Sequence, residues 1–203
     1  MEEKNLTEQE SLLIIQQMIN TAKQEQKDDG KGWIIWGWLL FLASILTYIN
    51  LFTHWFVPYY FWNIFGGISL LLLLYSVIRY FFFKKTKRAR TYTGELFEKL
   101  NVGFFLSLML IIVAMNKGVD PMQGFPLLVG LYGFWILIYG TALNFKPSII
   151  AAYTTWALGF VALFVKSFDA VMLLHAAAVL CGYIIPGHIA NREFKKINRS
   201  GNN

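Results

Sequence analysis

The sequence predicts an all-α fold: a polytopic membrane helix bundle of six transmembrane helices, both termini cytoplasmic, preceded by one cytoplasmic amphipathic helix. Three observations predict it. Of the 203 residues, 56% are hydrophobic and only 15% are charged, whereas a water-facing domain carries about a quarter charged residues. Charge-free runs of span length recur along the chain. Finally, 16 of the 18 Lys and Arg residues fall on one side of alternating loops, the asymmetry that holds cytoplasmic loops inside.

Each span can be placed in turn. A span needs about 20 apolar residues to cross ~30 Å of hydrocarbon. From Gly32 to Ile78 no Asp, Glu, Lys or Arg occurs. That run suits two helices, 33–52 and 59–82, broken at Thr53-His54-Trp55-Phe56-Val57-Pro58, where proline fits a tight turn. Further charge-free runs predict spans at 100–116, 124–144, 148–165 and 169–190. They are separated by Lys117 and Asp120, by Lys146-Pro147, and by Lys166 and Asp169. Gly118–Pro126, with Pro121 and Pro126, is expected to be the irregular outer segment. Residues 32–191 thus form the membrane domain and 192–203 a basic cytoplasmic tail.

With the N-terminus inside, the cytoplasmic side holds every Lys and Arg except Lys117 and Lys166. An odd number of spans would place the basic C-terminal tail outside, against the rule. Trp33, Trp36 and Trp38 mark the inner interface, and Trp55, Tyr59, Tyr60 and Trp62 the outer one, since amphipathic rings favour headgroup level. The absence of a basic n-region at Met1-Glu2-Glu3 makes the first span an expected uncleaved anchor. The single cysteine, Cys181, permits no intramolecular disulfide.

Residues 1–31 read as a soluble element. Thr7-Glu8-Gln9-Glu10 has the form of a capping box. Behind it Leu12, Ile15, Ile19 and Ala22 share one helical face, a candidate docking face. Interfacial helices usually carry Lys and Arg on the polar side; this segment is net acidic, with seven Asp and Glu against four Lys. Its apolar face is expected to dock on the cytoplasmic mouth of its own bundle or in a partner's groove, ahead of a lipid surface. A basic loop with Lys84, Lys85, Lys87, Arg88 and Arg90 could receive it electrostatically.

Chemistry-bearing groups are few. No acid lies in the interior of a predicted span, Asp120 and Asp169 belonging to the outer loops, which argues against proton- or sodium-coupled carriers, although unwound carbonyls can also bind cations. His175 is the one ionisable side chain well within a helix, and with Tyr183 it forms a candidate intramembrane polar site. Tyr132, Tyr139, Tyr153 and Asn116 are possible partners; the plainer reading is an interhelical hydrogen bond locking the last span. Pro186 and Gly187 are a candidate hinge, since proline removes a helical hydrogen bond and frees carbonyls. His54, His175 and His188 match no zinc spacing. No nucleophile elbow, paired aspartates or HExxH motif occurs, and no phosphate-binding glycine loop. Neither a cofactor, nor a metal, nor nucleic acid is expected. Ala151, Thr155 and Gly159, Ala178 and Gly182, and Gly133 and Gly140 are small-residue seams for close helix packing or an oligomer contact.

The opening Glu10-Ser11-Leu12, the Trp36-Gly37-Trp38 entry to the first span, Asn144-Phe145-Lys146-Pro147, and Gly182-Tyr183-Ile184-Ile185-Pro186-Gly187-His188 together resemble a group of uncharacterised bacterial integral membrane proteins. The resemblance covers almost the whole length. It implies a bacterial plasma-membrane location and carries no activity or functional residue. The residues themselves favour a non-enzymatic regulatory or sensory membrane component acting through its N-terminal helix, with a protein partner or a second copy. A small transporter or channel with a pathway near His175, Tyr183 and Pro186 is the alternative.

Overall fold

The computed structural model describes residues 29–82 and 92–200. Among these the structure is all-helical, without strands. The elements are α1 (Lys31–Thr53), α2 (Tyr60–Phe82), α3 (Tyr92–Asn116), α4 (Pro121–Ala142), α5 (Lys146–Phe164), α6 (Phe168–Val179), a π-helical turn (Leu180–Ile184) and α7 (Ile185–Ser200). Five stretches are long and apolar enough to cross a membrane: α1, Lys99–Asn116 within α3, α4, α5 and the continuous helix Phe168–Lys196. Helix α2 is 23 residues long, and its described apolar stretch is Tyr60–Leu72.

The apolar side chains divide into two populations. Leu40, Leu128, Ile136, Met172 and Val179 are fully buried where α1, α4, α5 and α6 pack together. Large apolar residues such as Leu71, Leu106, Leu110, Ile150, Phe160 and Phe164 are well exposed on the outer faces. A contiguous apolar surface of this extent is untenable in water and ordinary against lipid tails. Helix α1 shows the inversion most plainly. Its polar Ser44, Thr47 and Asn50 are buried while Ile35, Leu42 and Ile49 face outward. Ser44 and Thr47 hydroxyls also donate to carbonyls four residues back, at 2.8 and 2.7 Å, which satisfies them without a second chain.

Small residues set the closest approaches. Trp156 Nε1 donates to the Gly130 carbonyl at 2.9 Å, its indole lying against Gly133. Thr155 lies against Gly182, and Gly159 against Val129. The small-residue seams of α4, α5 and the last helix are therefore used within one chain.

The contacts sort the helix ends into two groups. Tyr59 meets Phe168 with ring centroids 5.7 Å apart, and its phenol is raised above its ordinary pKa, first by burial and then by the Asp120 carboxylate. The turns after α1, α3 and α5 therefore share one end. At the other end Phe97 meets Tyr139, Gly140 meets Ser148, and Asp29 meets Asn191. Neighbouring helices alternate in direction, as short connections require.

Several boundaries differ from expectation. Helix α3 begins at Tyr92 rather than 100, because the polar first turns continue the helix before the apolar part. The Gly118–Pro126 segment is mostly helical: Asp120 caps α4, its carboxylate accepting from Met122 N at 2.9 Å. Pro121 occupies the first turn, where its missing N–H costs nothing, and Pro126 lies inside the helix. Lys146 and Pro147 likewise open α5 instead of forming a loop. The helix of the final span does not end near residue 190; it continues to Ser200, so most of the basic tail is helical. The break at residues 53–58 is as expected, with left-handed His54 and Tyr59. Asn50 closes it, accepting from Phe56 N at 2.9 Å and donating to Phe56 O at 3.0 Å.

Candidate functional site

Helix α6 carries His175 into the middle of the bundle, where it is 1% exposed. Ser44 of α1 faces it, with Oγ 2.8 Å from Nδ1. The serine hydroxyl has one hydrogen, and its 2.8 Å contact with Leu40 O accounts for it. With that hydrogen assigned to Leu40 O, the matching neutral tautomer has Nδ1 donating to Ser44 and a bare lone pair on Nε2. Three aromatic rings stand edge-on around the imidazole: Trp62 at 5.1 Å, Phe125 at 5.6 Å and Tyr132 at 5.6 Å between centroids.

The ring contacts continue along the bundle. Tyr132 meets Tyr183 at 5.8 Å, and Tyr183 meets Trp33 at 5.0 Å. Trp33 in turn lies 4.4 Å from Tyr139, near the end where α1 begins. The file runs through Trp62, His175, Tyr132, Tyr183 and Trp33, from α2, α6, α4, the π-turn and α1 in turn, with Phe125 and Tyr139 of α4 beside it. Four of its polar atoms are buried without a hydrogen-bond partner: Trp62 Nε1, His175 Nε2, Tyr132 Oη and Tyr183 Oη. An unpaired buried group costs about 1–3 kcal/mol, so four on successive rings mark a place where a hydrogen-bonding partner would be stabilising.

Tyr183 owes its position to the π-turn. There Ile185 N bonds back to Leu180 O, one residue further than in an α-helix. Pro186 supplies the reason: it has no N–H, and its ring would press on the carbonyl of the residue four back, Gly182. Widening the turn relieves that contact and lets the helix run on. Where the kink is expected the helix carries a local π-bulge, with Pro186 and Gly187 buried on its far side.

Pro186 and Gly187 adjoin the start of α1. A Cβ on Gly187 would lie 3.0 Å from Ile34 Cγ1 and 3.1 Å from Trp33 Cβ. Gly30, left-handed at φ 68, has no room for a Cβ against the Gly187 carbonyl. Asn191 Nδ2 donates to Asp29 O at 2.6 Å. Asp29 and Gly30 are therefore clasped to Gly187 and the Asn191 side chain, in the helix that follows the π-turn.

Of the residues singled out in the sequence, His175, Tyr183, Pro186 and Gly187 fall along this one path. Among the suggested partners of His175, only Tyr132 reaches it. Tyr139 lies beside Trp33 and Phe97, Tyr153 is 58% exposed, and Asn116 bonds Ile112 O at the end of α3. Ser44 and Trp62 are partners that sequence reasoning missed. The three-residue spacing of Ser44, Thr47 and Asn50 in an otherwise apolar span marks an inward polar stripe and could have found Ser44. Trp33 and Trp62 are not simple belt residues, since both rings turn inward against the core, whereas Trp55 is 77% exposed. The docking face Leu12, Ile15, Ile19 and Ala22 and the basic cluster Lys84, Lys85, Lys87, Arg88 and Arg90 lie outside the described residues.

No protein-family model, no curated protein and no solved structure matches the chain.

Proposed function

We propose that the chain is a six-span protein of the bacterial plasma membrane, both termini cytoplasmic, acting as a regulatory or sensory component through its N-terminal element. The observation that carries this reading is the clasp of Asp29 and Gly30 on Gly187 and Asn191. Whatever displaces the N-terminal element pulls on the backbone directly after the π-turn. That turn holds Tyr183, which is in ring contact with Tyr132, itself in contact with His175. The π-turn is the local irregularity through which such a pull would reach Tyr183. The six-span count is supported by α2, whose 23 residues reach about 35 Å at 1.5 Å per residue. Cytoplasmic ends are supported by the distribution of Lys and Arg.

The test is deletion of residues 1–27. The shortened protein is expected to insert and fold as before while losing cross-linked partners recovered with the full chain. An unchanged partner set refutes the reading. Reporter fusions at Lys117 and Lys166 against fusions at Lys146 and Asn203 check the sidedness; equal behaviour at all four refutes the alternating topology.

A second reading, a small transporter or channel, is favoured by the unpaired polar atoms around His175. Solute flux into liposomes carrying the protein, with His175→Ala as control, tests it; absence of flux counts against it.

A further inference from the structure

We infer that Trp62, Tyr132, His175 and Tyr183 form an occluded site for a small, uncharged, hydrogen-bonding solute of the water, urea or polyol class. The inference deepens the second reading and rests on the same residues, but it concerns binding and needs no passage across the membrane.

The recognition chemistry comes from the four unpaired atoms. Trp62 Nε1 can only donate, His175 Nε2 accepts, and the two tyrosine hydroxyls do either. A ligand that both donates and accepts satisfies the set, and a hydroxyl, amide or water does so. Formal charge finds no counterpart. Residues 32–78, 121–145 and 170–191 contain no Asp, Glu, Lys or Arg, and an unpaired ion at membrane depth is strongly disfavoured. A cation would also meet the Trp62 N–H, a donor.

The geometry assigns a closed state. His175 and Tyr132 are each 1% exposed and Tyr183 is 3% exposed, so the middle of the file is closed off, while Trp62 at one end is only partly buried. Ser44 holds the imidazole at Nδ1, and the buried Nε2 has no partner. Two rings that touch the imidazole, Trp62 and Tyr132, each carry an unpaired polar atom of their own, and Tyr183 behind Tyr132 adds another. Entry requires movement of Tyr183, and this residue stands on the π-turn, next to the buried Pro186. The site and its door are therefore adjacent along one helix.

The test uses the full-length chain in lipid bilayers with histidine and tryptophan labelled by nitrogen-15. Magnetisation transfer from water to the His175 ring nitrogens is measured first, then the shift of Nε2 on adding urea, glycerol or sodium chloride. Transfer from water together with a saturable shift by urea or glycerol, but not by sodium chloride, is the expected result. Loss of that shift in Tyr183→Phe, with the Nδ1 resonance unchanged, assigns it to the file; the wild-type measurement stands alone should that variant fail to fold. A His175 silent to water and unmoved by either uncharged solute overturns the proposal, and so does a shift produced by sodium chloride alone. Flux of the same solutes separates the two readings: a filled site without flux retains the site and removes only the transport reading.

Discussion

Replacing Gly182 by alanine tests the packing that holds the π-turn in place. A Cβ at this position would lie 2.6 Å from Thr155 Oγ1 and 2.7 Å from Ile136 Cδ1. Both are well inside contact distance, so one side must shift. The Ile136 methyl ends a flexible side chain and can rotate. Thr155 is β-branched and held at Ala151 O at 2.8 Å, so it has few alternative rotamers. Overpacking of this kind costs about 1–3 kcal/mol, while removing a helical glycine returns about 1 kcal/mol. The net loss for Gly182→Ala is therefore up to about 2 kcal/mol. Thr155→Ala alone loses hydroxyl contacts worth about 0.6 kcal/mol in a membrane interior. In the double variant the obstructing Oγ1 is gone and the clash should largely disappear. Reversible unfolding in mixed micelles, analysed as a double-mutant cycle, should give a coupling of about 1–2 kcal/mol. A coupling below about 0.5 kcal/mol would refute the argument that Gly182 is dictated by Thr155.

Single contacts give further expected outcomes. Ser44→Ala leaves His175 Nδ1 without its partner at 2.8 Å, so the Nδ1 resonance should move and stability should fall by about 1–2 kcal/mol; an unchanged resonance sinks the assigned tautomer. Asn50→Ala removes both bonds to Phe56, and faster hydrogen exchange at the Phe56 amide is the expected readout. Asp120→Asn keeps a capping oxygen but removes the negative charge that raises Tyr59. Tyr59 should then ionise at lower pH, though still above an ordinary tyrosine because its burial remains; absorbance titration of tyrosinate against the wild type checks the sign.

What the sequence disclosed depended on range. The charge-free runs fix where helices can cross, because burial of charge in lipid is costly wherever the neighbours lie. Helix ends were less legible. Pro121, Pro126 and Pro147 resemble loop residues by type, yet two of them start helices and the third sits within one. A proline in a first helical turn and a proline in a loop differ only in whether the next residues stay helical, and tertiary packing decides that. The candidate site was half legible: His175 stood out as an ionisable group inside an apolar run. Its partners come from α1, α2 and α4, and a serine 131 positions away announces itself only through the inward stripe it shares with Thr47 and Asn50.

The π-turn shows why the remainder required a structure. Proline at 186 predicts interruption of the helix, and hinge and break are equally consistent with it. The choice is made by two glycines acting at a distance. Gly182 lets the last helix close on Thr155, and Gly187 lets it close on Trp33 and Ile34. Packed closely on both sides, the chain accommodates the missing N–H by widening one turn. That widened turn sets where Tyr183 points. It comes to rest between Trp33 and Tyr132, which makes one local defect the link between the N-terminal clasp and the polar file at His175.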